Sequence, residues 1–375
     1  MYFITEKDPN YTIKGSRDPL GFQVIWQAAG RKLIPNLSTV SNNLIDFQIL
    51  CLAHIIKKEF KIADANFESF FIRFEQIMAY TRHYKDKSEG FNGVDKVRKT
   101  IASNEELKIS INNQILSNQK AYGIWGKYNR PFSEMKFELS DNFAKLFSAK
   151  LKLNLALKKQ VQTIINNDSN LNYNVLEKYM SVIEKPNEEE KKLFIERILQ
   201  DNCDQELLSI MNNNQGWIGL NFYDLLNFLI SKSSDTNFIS ILEYIIQVEK
   251  TICPLNRIFR YLQTKSFWTN EEIGKDDFIS QCRIKGLITN GFDETLNSLA
   301  QLHNNSNNDL VKGLIERNKT ICEMRNSSSW MDFTENGYEV NHFEGASFDN
   351  DYNPERNNDN NYFFWSYLNL FNQLN

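Results

Sequence analysis

The stretch TVSNNLIDFQILCLAHIIKKEF, residues 39–60, constrains the fold more than any other part of the chain. Ser41 is placed to cap a helix, and the residues after it are apolar on nearly every side rather than along one stripe. A helix of that kind cannot lie on a surface. Other elements have to surround it, which makes it the expected centre of an N-terminal domain. NFESFFIRFEQIMAYTRHYK supplies one wall, with Phe67, Phe70, Phe71, Phe74, Ile77 and Met78 at helical spacing. RDPLGFQVIWQAAGRKLIP reads as a short helix. Asp18 as N-cap, Pro19 at the first helical position, Phe22, Ile25 and Trp26 along the body and Gly30 at the end predict a helix over 19–29.

At 375 residues, with 41% hydrophobic and 24% charged side chains, the chain is long enough to bury two or three cores. No stretch approaches the roughly 18 apolar residues of a membrane span. The opening MYFITEKDPN lacks the apolar segment of a secretory signal. Both observations point to the cytoplasm and away from a membrane partner. Cys51, Cys203, Cys253, Cys282 and Cys322 are far apart, odd in number and never in a CxxC pair, so reduced, buried thiols are expected instead of disulfides or zinc.

After residue 90 the pattern changes. GVDKVRKTIA reads as a short helix, ELKISI alternates like a strand, and EMKFELS alternates again, before SDNFAKLFSAKL returns to helix. Helix, helix, strand, long turn, strand is the order of a winged-helix module, with NQKAYGIWGKYNRPF (118–132) as its wing. Residues 151–326 then read as helix after helix, among them LNYNVLEKYMSVIEK, and no fixed repeat of solenoid length emerges. SSWMDFTENGYEVNHF alternates on both sides of Asn336-Gly337, a favoured tight-turn pair, and predicts a β-hairpin. EGASFDNDYNPERNNDNN reads as a mobile surface linker and NYFFWSYLNLFNQL as an aromatic helix.

The expected fold is therefore mainly α: an irregular helical bundle with a winged-helix-like α+β module (about 67–150) in a basic N-terminal domain (1–150). An acidic all-helical domain (151–326) comes next, and then a C-terminal segment (327–375) of β-hairpin, polar linker and aromatic helix.

Charge is distributed unevenly along the chain. Residues 1–159 carry 25 Lys and Arg against 16 Asp and Glu, whereas the remainder carries 18 against 31. Such asymmetry points to a polyanion-facing half. Phosphate contact needs cations on one surface, and unpaired bases add affinity by stacking on aromatic rings. Lys96, Arg98 and Lys99 on the short helix, with Lys120, Lys127 and Arg130 around Trp125 and Tyr128, provide both, so DNA or RNA is the expected partner. The simpler reading has the lysines solvated and the rings filling a core. At the other end, Phe363, Phe364, Tyr367, Leu368 and Phe371 can share one helical face, which either docks on the body or binds a protein partner.

Signatures of chemistry are largely missing. HExxH, GxSxG, GxxxxGK[ST] and GxGxxG are all absent, so no cofactor is expected. His54 lies within the apolar helix and reads as a hydrogen-bonded core histidine. His83-Tyr84-Lys85 has the form of half a phospholipase-D-like site, without the second copy or the Asp that chemistry requires. Glu134-Met135-Lys136 is the only sensible Glu-x-Lys for a divergent Mg²⁺-dependent nuclease, and the preceding strand offers no Asp. A non-enzymatic role is the better reading.

GSRDPLGFQVIWQAAGRKLIPNLSTVS and NQKAYGIWGKYNRPF resemble stretches of uncharacterised proteins of bacterial antiviral defence loci, which are encoded beside ATPases, helicases or nucleases. The resemblance covers about the first 140 residues and rests on no catalytic motif. It implies a subunit of a larger assembly acting against phage and transfers no active-site residue. Together these readings give a non-enzymatic complex subunit that holds nucleic acid through its basic half and protein partners through its helical C-terminal half. The alternative is a pure protein scaffold.

Overall fold

The computed structural model describes residues 18–103, 106–341, 352–354 and 356–375. The opening MYFITEKDPN and the first part of the polar linker lie outside them. In chain order the elements begin with α1 (Phe22–Gly30), α2 (Leu44–Glu59), α3 (Asp64–Lys85), α4 (Val94–Ser103), β1 (Glu106–Ile109), α5 (Gln119–Tyr122), α6 (Ile124–Glu134), α7 (Asp141–Leu153), α8 (Leu155–Ile164), β2 (Ser169–Asn172) and α9 (Glu188–Phe194). They continue with α10 (Gln205–Asn213), α11 (Phe222–Lys232), α12 (Thr236–Leu262), β3 (Phe267–Thr269), α13 (Asn270–Lys275), α14 (Asp277–Cys282), α15 (Glu294–Leu302), α16 (Asn307–Met324), β4 (Met331–Thr334), β5 (Gly337–Val340) and α17 (Phe364–Leu374). The fold is mainly helical with two small antiparallel sheets among the described residues.

The chain forms two compact units, each discontinuous in sequence. Of the described residues, those within 34–208 and 363–375 form the α2 body, and those within 18–33 and 209–362 the α12 body. The composition boundaries near 150 and 326 therefore fall inside the bodies. The charge contrast shrinks with them: the α2 body carries 25 Lys and Arg against 23 Asp and Glu, a net of +2, leaving −6 for the α12 body.

In the α2 body, α2 buries residues on every side, from Leu44 to Ile56, as its composition demands. Burial of this extent stabilises by roughly 1.5–3 kcal/mol per large apolar side chain. Asn43, rather than Ser41, caps α2 by accepting from the Ile45 amide at 2.9 Å, while Ser41 accepts from the Ser38 amide at 2.8 Å. Helices α3, α6 and α7 pack around it.

The strand expected at ELKISI (106–111) forms over 106–109, but its partner is β2, antiparallel with Leu107 opposite Leu171. The expected second wing strand does not form. Residues 124–134 are helical and Phe137–Leu139 make a 3-10 turn, so the winged-helix order is replaced by helices α5 and α6. LNYNVLEKYMSVIEK likewise splits into β2 and a 3-10 segment, Tyr173–Ile183, instead of one α-helix.

The α12 body is built on a 27-residue helix whose buried face runs from Phe238 to Leu262. Helices α1, α11, α14, α15 and α16 pack against it. The helix expected over 19–29 starts later, at Phe22, with Gly21 at the cap position and Pro19 outside it, while Asp18 still accepts from the Phe22 amide at 2.8 Å. The hairpin at Asn336-Gly337 forms where the sequence places it, with Met331 opposite Val340, and gains β3 as a third strand on β5.

The described part of the expected mobile linker is anchored along one stripe of α12. Glu249 holds Asp359, Asn360 and Tyr362, Asn256 donates to Asp359 at 2.7 Å, and Arg257 pairs with Asp359 at 2.8 Å. All five cysteines are buried and free, as expected. Among the described residues no helix is long and apolar enough to cross a membrane.

Candidate binding pocket and basic face

NQKAYGIWGKYNRPF is a helix–helix joint whose glycines serve close packing. A Cβ on Gly123 would lie 2.6 Å from the Glu75 carboxylate, and one on Gly126 would lie 2.1 Å from the Ala121 carbonyl. Gly123 thus lets α3 approach the start of α6, where Glu75 Oε1 accepts from the free Ile124 amide at 2.7 Å. Gln119 donates to Glu75 Oε2 at 2.9 Å and to the Ile72 carbonyl at 2.8 Å, which locks α5 onto α3.

This packing closes one side of a cavity of about 390 Å³ within the α2 body. Its ionisable lining comes from Asp46 on α2, Glu75 and Arg82 on α3, and Lys127 and Tyr128 on α6, Thr39, Asn42 and Asn43 add neutral polar groups, and the loop Gly90-Phe91-Asn92 forms part of its wall. Arg82 Nη1 donates to Asp46 at 2.6 Å and its Nη2 to Glu89 at 2.5 Å, and the Phe91 ring lies 4.7 Å from the guanidinium. The Tyr128 hydroxyl accepts from the amides of Asn42 and Asn43 at 3.2 and 3.0 Å and hydrogen-bonds Asp46.

Burial raises the pKa of Asp46 against the opposing pull of Arg82 and the Tyr128 bond. Burial also pushes Glu75 up to about 7, against the bonds from Ile124 and Gln119. Lys127 is shifted the other way, lowered by its own burial and partly restored by the charges of Asp46 and Glu75. A carboxyl poised near neutrality beside a partly desolvated ammonium in a cleft is a combination common to functional sites.

The residues expected to contact nucleic acid separate into two groups. Lys96, Arg98 and Lys99 are exposed on α4. Arg98 reaches the Lys87 carbonyl at 3.2 Å, and the Lys96 ammonium donates to the Gln114 carbonyl beside the cavity residue Ile115. His83 beneath them has its pKa lowered by burial first and then by Arg98 and Lys87.

The remaining residues are engaged elsewhere. Tyr128 is 1% exposed and its hydroxyl holds the amides of Asn42 and Asn43 before α2, so it cannot stack on a base. Trp125 is half-buried, 5.5 and 5.4 Å from the rings of Phe67 and Phe71. Lys120 pairs with Glu68 at 2.9 Å and Arg130 with Glu134 at 2.8 Å, while Lys127 lines the cavity. Glu134 and Lys136 lie at and just past the end of a helix, not on a strand, which removes the nuclease geometry that Glu-x-Lys would need.

The C-terminal aromatic face docks on the body. Phe363, Phe364, Tyr367, Leu368 and Phe371 are all buried, and Gln373 Oε1 accepts from the Leu44 amide at 2.9 Å. Those side chains are therefore spent on folding rather than offered to a partner.

His54 is hydrogen-bonded as expected, its Nδ1 2.9 Å from Glu138, with its ring 4.5 Å from that of Phe132. Among the described residues no group of three or more His, Cys, Asp or Glu is placed to hold a metal ion. Glu75, Asp46 and Arg82 escaped the sequence reading because each looked like an isolated polar residue on an apolar helix. A charged residue inside such a stretch was itself the available signal. Comparison of the chain with protein-family models, curated proteins and solved structures finds no match.

Proposed function

We propose that the α2 body binds nucleic acid through the face formed by α4 and the loop before it, as a subunit of a bacterial antiviral defence assembly. The observation that carries the reading is the convergence of exposed cations there. Lys96, Arg98 and Lys99 share a ten-residue helix, and Lys87 in the preceding loop is exposed and, with Arg98, acts on His83. Among the described residues, the acid that pairs with this group is Asp95, 3.8 Å from Arg98 and itself exposed. Exposed ammonium and guanidinium groups of this kind release counterions when they meet phosphates, which makes binding steeply salt-dependent. The resemblance of residues 15–41 and 118–132 to defence-locus proteins supplies the setting.

The test is a fluorescence-anisotropy titration of labelled single- and double-stranded DNA and RNA over a series of salt concentrations. The wild type is expected to bind with a steep salt slope. Replacing Lys96, Arg98 and Lys99 together with Ala is expected to reduce that slope by about two for single strands while the fold is retained. Equal slopes and affinities in the two proteins would overturn the assignment of this face.

A further inference from the structure

Glu75 and Lys127 share the cavity beside α4, and both have hydrogen-bonding capacity that the protein leaves unused. A carboxylate offers about four acceptor sites and an ammonium three donors. Glu75 receives two hydrogen bonds, from Ile124 and Gln119. Lys127 donates to no described side chain or carbonyl and contributes only through its charge, toward Asp46 and Glu75. An occupant that pairs with Lys127 and with the spare acceptor sites of Glu75 adds hydrogen bonds that the protein itself does not make.

The charge pattern narrows the class of occupant. The lining holds two acids, Asp46 and Glu75, and two cations, Arg82 and Lys127, so its formal charge is balanced and favours an ion of neither sign. A neutral ligand that bears N–H donors and a carbonyl or ring acceptor side by side satisfies both residues at once. About 390 Å³ is at the small end of ligand pockets, enough for a single heterocycle, and Phe91, with Arg82 over its ring, is in the wall. The same loop, Gly90-Phe91-Asn92, leads directly into α4, and the Lys96 ammonium is tied to the Gln114 carbonyl next to the cavity wall.

We propose that this cavity takes one unpaired nucleobase, with Lys127 donating to a base acceptor and Glu75 accepting from base N–H groups. The proposal rests on the nucleic-acid reading above for the source of that base: a strand running over Lys96 and Lys99 could turn one base into the cavity.

The test uses the full chain, titrated calorimetrically with the four free ribonucleosides, which carry no phosphate, alongside the oligonucleotide titration. Two variants accompany it: Lys127→Met, which removes the donors, and Val40→Trp, which places a large ring at a cavity-lining position that is 42% exposed and so tolerant of bulk. Binding of at least one nucleoside is expected, weakened about ten-fold or more in each variant, with melting temperatures close to wild type. Failure of every nucleoside to bind the wild type, or equal binding in all three proteins, would overturn the proposal even if oligonucleotides bind α4. Nucleoside binding with no oligonucleotide binding would keep the cavity as a site for a free nucleoside and overturn its supply by a strand.

Discussion

Glu249 on α12 and Glu75 on α3 are both withdrawn from water, one in each body, and each carboxylate has the same acceptor capacity. Glu249 fills it. Its Oε1 takes the amides of Asp359 and Asn360 at 2.6 and 3.0 Å, and its Oε2 takes the Asn360 side-chain amide and the Tyr362 hydroxyl at 2.9 and 2.8 Å. Glu75 takes two donors and turns its remaining surface to a cavity. The first is a closed latch that holds a segment of chain, and the second is a partly filled site. Burial alone therefore does not mark a functional carboxylate. The two differ in the number of acceptor sites left over and in whether these meet open space.

The largest expected effect strikes the charged scaffold on the Glu75 side. Arg82→Ala would leave Asp46 and Glu89 without their shared cation, and should destabilise the protein by about 3–5 kcal/mol in a urea titration. A loss below about 1 kcal/mol would mean that water already reaches the pair.

Glu249→Gln comes next. A neutral amide has one acceptor oxygen where four donors converge and places an NH₂ against two of them, so a loss of about 2–4 kcal/mol is expected.

Glu75→Gln should be the mildest of the three, because Gln keeps an acceptor for the Ile124 amide. Its signature is in the pH dependence. A carboxyl whose folded pKa is raised from 4.5 to about 7 binds its proton more tightly in the folded state. That stability is fully present below pH 4.5 and is lost as the pH rises through about 7. The wild type should therefore lose on the order of 1–3 kcal/mol across that window relative to Glu75→Gln, as read from denaturation curves at pH 4.5 and pH 8. Parallel stability profiles for the two proteins would erase the contrast between Glu75 and Glu249.

Much of the architecture was legible in the sequence because it depends on local periodicity. The all-round apolar α2, the Phe stripe of α3 and the Asn336-Gly337 hairpin all formed where the pattern places them. Residues 118–132 misled because two glycines and a proline within fifteen residues read as a turn, whereas here glycine serves the close approach of α3 and of the α5 backbone. EMKFELS alternates like a strand, yet Met135 and Phe137 are buried from the end of a helix and a 3-10 turn. The charge contrast weakened because each body draws on distant parts of the chain. The cavity was hidden for a related reason: Asp46, Glu75, Arg82 and Lys127 come from three helices, and only tertiary packing brings them to one space.

The most direct test of the contrast is a ¹³C NMR titration of the glutamate side-chain carboxyls, with Glu75 and Glu249 assigned through their Gln variants, in the absence and presence of a saturating nucleoside. The Glu75 resonance is expected to titrate near pH 7 and to move when the nucleoside is added, while the Glu249 resonance stays where it was. A Glu75 carboxyl that titrates near 4.5, or that ignores the nucleoside as completely as Glu249 does, would contradict the reading of this cavity as an open site.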